Sequence, residues 1–403
     1  MMRRFMMTLS VVGAVAAAAT AQEAPPPKIE APQTAAPKPG EPQTADPKTP
    51  TPAAQESNNL KFGFYGIADI AVLYRDHLLT GTGPKGSQTD QVTLISGGHN
   101  QSRIGIRGSY DLGSGLRAVL QLEKGINYND GTIEDGASGN PTQFFNRIAA
   151  VGLEKDGVGR FTVGRQLTTM YDMAIQFDPL GYSPTFSWLP TTGSADPRTG
   201  AFNAGRFGTR IDNTIKYIGR FNGLQLGGYY GLGQNTTSFG ANSKFGGGII
   251  YTAGPLAAGL IYDQRNSAPG PYYREQATVI AAKLSLFGGW LTPTAGYRRY
   301  VRTMSSRADD LYFAGITFKI TEKLSFTLAD YYDKKRDGTG QNDNLAVARA
   351  DYALGKIVDV YATYGHASGE NGGLAGVMRA NDILPVASDQ NGASLGFRIR
   401  YGY

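Results

Sequence analysis

A chain of 403 residues with no cysteine excludes disulfides, thiolate metal sites and cysteine catalysis. Its 54 glycines and 23 tyrosines, against a charged fraction of 18%, favour turns, strands and interfacial aromatics over helix bundles. A formal net charge of +6 is too small for a nucleic-acid binder, so where the charges sit matters more than their sum.

Residues 1–21 read as a secretory signal peptide. Arg3-Arg4 forms the basic start, Val11 to Ala19 the apolar stretch, and Ala19-Thr20-Ala21 a small-x-small cleavage site. No later run approaches the roughly 18 apolar residues of a membrane-spanning helix. An exported chain of this kind can enter a bilayer only as a closed barrel.

Residues 22–58 hold ten of the 21 prolines and almost no large apolar side chains. Pro27-Lys28, Pro37-Lys38 and Pro47-Lys48 recur in step. Such a segment cannot bury a core and is expected to be a disordered, partly polyproline periplasmic spacer. It is either a solvated leader or, through its spaced lysines, a contact to an acidic polymer such as the cell wall.

From Leu60 onward the chain becomes a series of short alternating segments. We count sixteen, near 60–74, 101–109, 115–125, 144–154, 159–167, 210–219, 223–232, 244–253, 256–264, 274–287, 291–301, 310–320, 323–333, 344–353, 357–366 and 392–403. Alternate connectors are tight, as in Lys155-Asp-Gly-Val158, Thr321-Glu322 and Leu354-Gly-Lys356. The others are long and polar, as in 75–100, 126–143, 168–209, 233–243 and 367–391. Tight turns on one rim and long loops on the other mark an outer-membrane barrel rather than a β-sandwich.

The faces agree. Leu116, Ala118, Leu120 and Leu122 oppose Arg117, Gln121 and Glu123. At the end of the chain Leu395, Phe397, Ile399, Tyr401 and Tyr403 oppose Arg398 and Arg400. A dry core cannot take the charged face, so that face must meet water. The expected fold is therefore all-β, a sixteen-stranded antiparallel transmembrane β-barrel over 59–403 with an aqueous lumen.

Four stretches carry a family resemblance: Ser102-Arg-Ile-Gly-Ile-Arg-Gly-Ser-Tyr-Asp-Leu-Gly113, Phe145-Asn-Arg-Ile-Ala-Ala-Val-Gly-Leu153, Phe161-Thr-Val-Gly-Arg-Gln166 and Asp212-Asn-Thr-Ile-Lys-Tyr217. In order and spacing they resemble the general bacterial porins, trimeric diffusion channels of Gram-negative outer membranes. The resemblance implies an inward-folded constriction loop after the fifth strand, here 168–209, facing basic residues on the wall. It implies Arg103, Arg147 and Arg210 as wall arginines, Arg107 and Arg165 as flanking bases, and Asp178 as a constriction acid. Asp172 resembles the acid that fixes the start of the loop. The residues leave simple wall pairing open for each arginine, and a surface position open for Asp178. There are departures too: Ile67 stands where many relatives place a lysine, Asp69 adds an acid nearby, and Tyr182 replaces a second loop acid. Tyr182, Phe186 and Trp188 either pack the loop or offer a sugar-stacking platform.

The chain is thus expected to form a passive pore in outer-membrane lipid for small hydrophilic solutes and ions, mildly anion-leaning, with no cofactor and no metal. The resemblance adds assembly as a homotrimer. A substrate-specific channel for a sugar or small organic acid is the alternative. A barrel enzyme is disfavoured because His77, His99 and His366 fall at predicted loop or loop-edge positions with no nucleophile in register. All three are expected to be satisfied surface histidines.

Overall fold

A computed structural model describes residues 59–80, 87–133, 143–190, 209–233, 240–266, 274–303, 308–336, 338, 340–371, 375–377 and 389–402. The expected leader (1–21), the Pro-rich spacer (22–58), the later part of the long loop (191–208) and residue 403 lie outside the described residues.

In chain order the elements are β1 (Leu60–Thr80), β2 (Ser87–Ser96), β3 (Arg103–Gly113), β4 (Leu116–Gly125), β5 (Ile148–Lys155), β6 (Gly159–Leu167), the short helix α1 (Thr169–Ala174) and a 3-10 turn (Ile175–Phe177). There follow β7 (Arg210–Phe221), β8 (Leu224–Gly231), β9 (Lys244–Ala253), β10 (Leu256–Asn266), β11 (Arg274–Leu284), β12 (Leu291–Arg302), β13 (Ala308–Lys319), β14 (Leu324–Lys335), β15 (Asp343–Ala353), β16 (Val358–Gly369) and β17 (Asp389–Tyr401).

Each strand pairs antiparallel with its neighbours, and β1 closes on β17 from Gly66↔Tyr401 to Arg75↔Gly392. Closure leaves no open sheet edge, the condition for a sheet to stand in hydrocarbon. The first half of β1 pairs with β3 and its second half with β2. β2 and β3 are thus two halves of one stave, and the seventeen segments make a sixteen-stranded barrel.

All sixteen expected strands are present, but the expected loop over 75–100 is not one loop. Its Ser87–Ser96 part is strand, and β1 runs on to Thr80. Only Val92 and Leu94 mark the outer face of β2, too few to carry an alternation signal. After β2 the chain leaves the wall at Gly97 and rejoins it at Arg103.

The alternation sorts the side chains as hydrocarbon outside and water inside require. Phe62, Phe64, Ile104, Leu153, Leu260, Leu395 and Phe397 are exposed outward, while Glu123, Asp359 and Arg398 are buried inward. The inner wall is itself divided. Ile250, Ile261, Val279, Leu311, Phe313, Leu345 and Val347 form an apolar cluster on its β9–β15 side, among buried charges such as Asp263, Arg298 and Arg349, and the loop after β6 packs on that cluster. The remaining inner wall mixes buried charges such as Glu123, Arg147 and Arg398 with scattered apolar side chains such as Ile67 and Val119.

Candidate functional site

The loop after β6 turns inward at once. Thr168 caps α1, its Oγ1 accepting the Tyr171 amide at 3.1 Å. Lys216 on β7 donates to the Asp172 carboxylate and, at 2.8 Å, to the Leu167 carbonyl, which ties the loop's start to the wall. Met170, Met173, Phe177, Leu180, Phe186 and Trp188 then bury themselves against the apolar wall. Each such side chain contributes roughly 1.5–3 kcal/mol of burial.

Bare backbone beneath the loop lets it come this close. A Cβ at Gly259 would come within 2.7 Å of the Phe177 ring, one at Gly365 within 2.8 Å of Phe186, and one at Gly315 would strike Pro179. Wall arginines hold the loop's carbonyls. Arg298 donates to the Trp188 and Leu189 oxygens at 3.2 and 2.6 Å, and Arg349 to the Leu180 oxygen at 3.1 Å.

Asp178 lies inside this packing. Its carboxylate accepts the amides of Tyr182 at 2.6 Å and Leu180 at 3.3 Å, the Ser187 hydroxyl at 2.6 Å, and the Tyr331 hydroxyl from β14. Burial pushes its carboxyl above the ordinary range despite these donors. Tyr182 is buried too, in the left-handed region at φ 57°, and meets Tyr171 edge to face at 5.2 Å. Both residues therefore point into the loop's own packing.

The arginines gather across the lumen. Arg147 Nε donates to Glu123 at 2.6 Å, and Arg103 stands 3.5 Å from the same carboxylate. Arg147 Nη1 and Arg210 Nη2 both donate to the Gln101 side-chain oxygen, at 2.6 and 2.7 Å. Arg103, Arg147 and Arg210 thus form one cluster around Glu123 and Gln101. Arg165 stands apart, bonded to Asp212 at 2.6 Å and to the Asn146 carbonyl at 2.8 Å. Arg107 lies nearer the tight-turn rim, exposed, 4.0 Å above the Tyr65 ring.

Gln101, supplied by the inward segment Gly97–Ser102, is not among the residues singled out from the sequence. Asp69 anchors the segment, accepting the amides of His99 at 3.2 Å and Asn100 at 2.6 Å. His99 is not a surface side chain. It is buried against Asp351 at 3.0 Å and the edge of Tyr361, because the break in the stave carries it into the barrel. His366 lies within β16, its Nδ1 2.9 Å from the Asn391 side chain, and His77 is partly exposed beside Asp76. The Gly97-Gly98 pair is the one sequence signal for the inward turn.

A family model described as Gram-negative porin matches residues 8–372. An outer membrane porin protein of Bordetella pertussis is 30% identical over 223 residues, 51% of this chain and 54% of the relative, so the chain spans about half of that relative's length. An anion-selective porin from Comamonas acidovorans superposes with a TM-score of 0.68 at 20% identity, covering 85% of this chain and all of the other. The trimer form of OmpT from Vibrio cholerae superposes with a TM-score of 0.59 at 15% identity, covering 85% of this chain and 99% of the other. With a closed barrel, an inward loop and a basic wall, the chain belongs to the Gram-negative porin family of the outer membrane.

Proposed function

We propose that the chain forms a water-filled pore for passive diffusion of small hydrophilic solutes and ions, with a mild preference for anions. The observation that carries this reading is the uneven inner wall: a loop packed on its apolar cluster leaves the route to the side where Arg103 stands with the buried Arg147 and Arg210. A solute enters at the long-loop rim, passes the guanidinium cluster and leaves at the tight-turn rim down its gradient. Weak binding at the neck suffices, because conduction requires release as well as entry.

Two guanidinium groups on Glu123, from Arg103 and Arg147, and a third from Arg210 that shares Gln101 with Arg147 give the anion preference. Asp172 and Asp178 serve the loop's attachment, and Tyr182 its packing; Arg107 and Arg165 extend the basic wall. The sugar-platform alternative gains no support from Phe186 and Trp188, loop side chains that are buried in its packing on the wall. We further propose cleavage after residue 21, a spacer over 22–58 that reaches the cell wall, and a trimer embedded in outer-membrane lipid.

Liposome swelling tests the pore. Vesicles carrying the purified protein are expected to swell in small neutral sugars, at rates falling with solute size. Vesicles that stay osmotically inert would overturn the reading.

A further inference from the structure

The Gly97–Ser102 segment is anchored from several sides. Asp69 holds its amides, and the Ser102 hydroxyl donates to the Asp69 carbonyl at 2.9 Å. Arg398 donates to the Asn100 side chain, and the Ser183 hydroxyl of the inward loop donates to the Gly98 carbonyl at 2.8 Å. The segment is thus a second inward element, clasped to the first. What it delivers is one oxygen, Gln101 Oε1, between two guanidinium groups at 2.6 and 2.7 Å.

An oxygen accepting N–H donors from two arginines occupies the position that a carboxylate or phosphate oxygen would take. We propose that Gln101 is a resident stand-in for a solute oxyanion and a selectivity-determining residue of the pore, an inference that rests on the pore reading above. Its carboxamide keeps Arg147 and Arg210 oriented while no solute is present. An entering oxyanion adds the attraction of opposite full charges to the hydrogen bonds that the guanidinium groups already make to the neutral amide, and displaces it. The amide's return then helps the anion leave, which prevents the arginine pair from becoming a trap.

The test is block of chloride current by inorganic phosphate in planar bilayers, on the full chain and two variants. Gln101→Ala removes the competitor, and its half-blocking phosphate concentration is expected to fall about tenfold, the change produced by roughly 1.4 kcal/mol. Gln101→Glu keeps the shape and adds a charge; its phosphate block is expected to vanish and its reversal potential to shift toward cations. Conducting variants with the parent's block and reversal potential would overturn the proposal while leaving the pore reading intact. Bilayers silent even with the parent would instead sink the pore reading. If Gln101→Ala does not fold, as read from heat-modified gel migration, Gln101→Glu alone decides.

Discussion

Arg147 shows how much a single position carries. Its guanidinium joins Glu123 to Gln101 in a buried network, and the Arg147→Ala change removes a charge from beside the route. We expect the anion preference to fall, read as a reversal-potential shift toward cations. Leaving Glu123 with Arg103 at 3.5 Å should also cost about 1–3 kcal/mol, seen as unfolding at lower temperature on heat-modified gels. Asp178→Ala should leave two amides and two hydroxyls without their acceptor. The expected result is a noisier open-channel current as the loop loosens. The five arginines were named through the family resemblance. The partners of Asp178 were not legible, because nothing in a loop sequence says which way an acid turns.

At the scale of elements, the inward loop depends on what the wall lacks. Gly315→Val would push a side chain into Pro179 and toward the Leu328 carbonyl at 2.9 Å, so the loop must lift. Conductance should change and protease should cut within 168–190, whereas Gly63→Ala, with nothing within 4 Å, should behave as the parent. Strands were readable from period two, and their tight turns from Gly, Asp and Pro. The split of one stave into β2 and β3 was not, since two outward residues, Val92 and Leu94, cannot distinguish a strand from a polar loop.

Across the whole molecule the two faces of the barrel meet different solvents, and the inner face is divided again. That second division was hidden because strands such as β13 are apolar on both faces, Tyr312 outward and Leu311 and Phe313 inward. Screening follows from the charged half. The Debye length falls from about 10 Å at 0.1 M salt to about 3 Å at 1 M, so the anion preference should weaken over that range. A preference independent of salt would point to size rather than field as its origin. The most direct test of a water-filled, basic-walled pore is single-channel recording of the purified protein across a potassium chloride gradient. Discrete steps and a reversal potential displaced toward the chloride equilibrium potential are expected; silent bilayers, or a displacement toward the potassium potential, would contradict it.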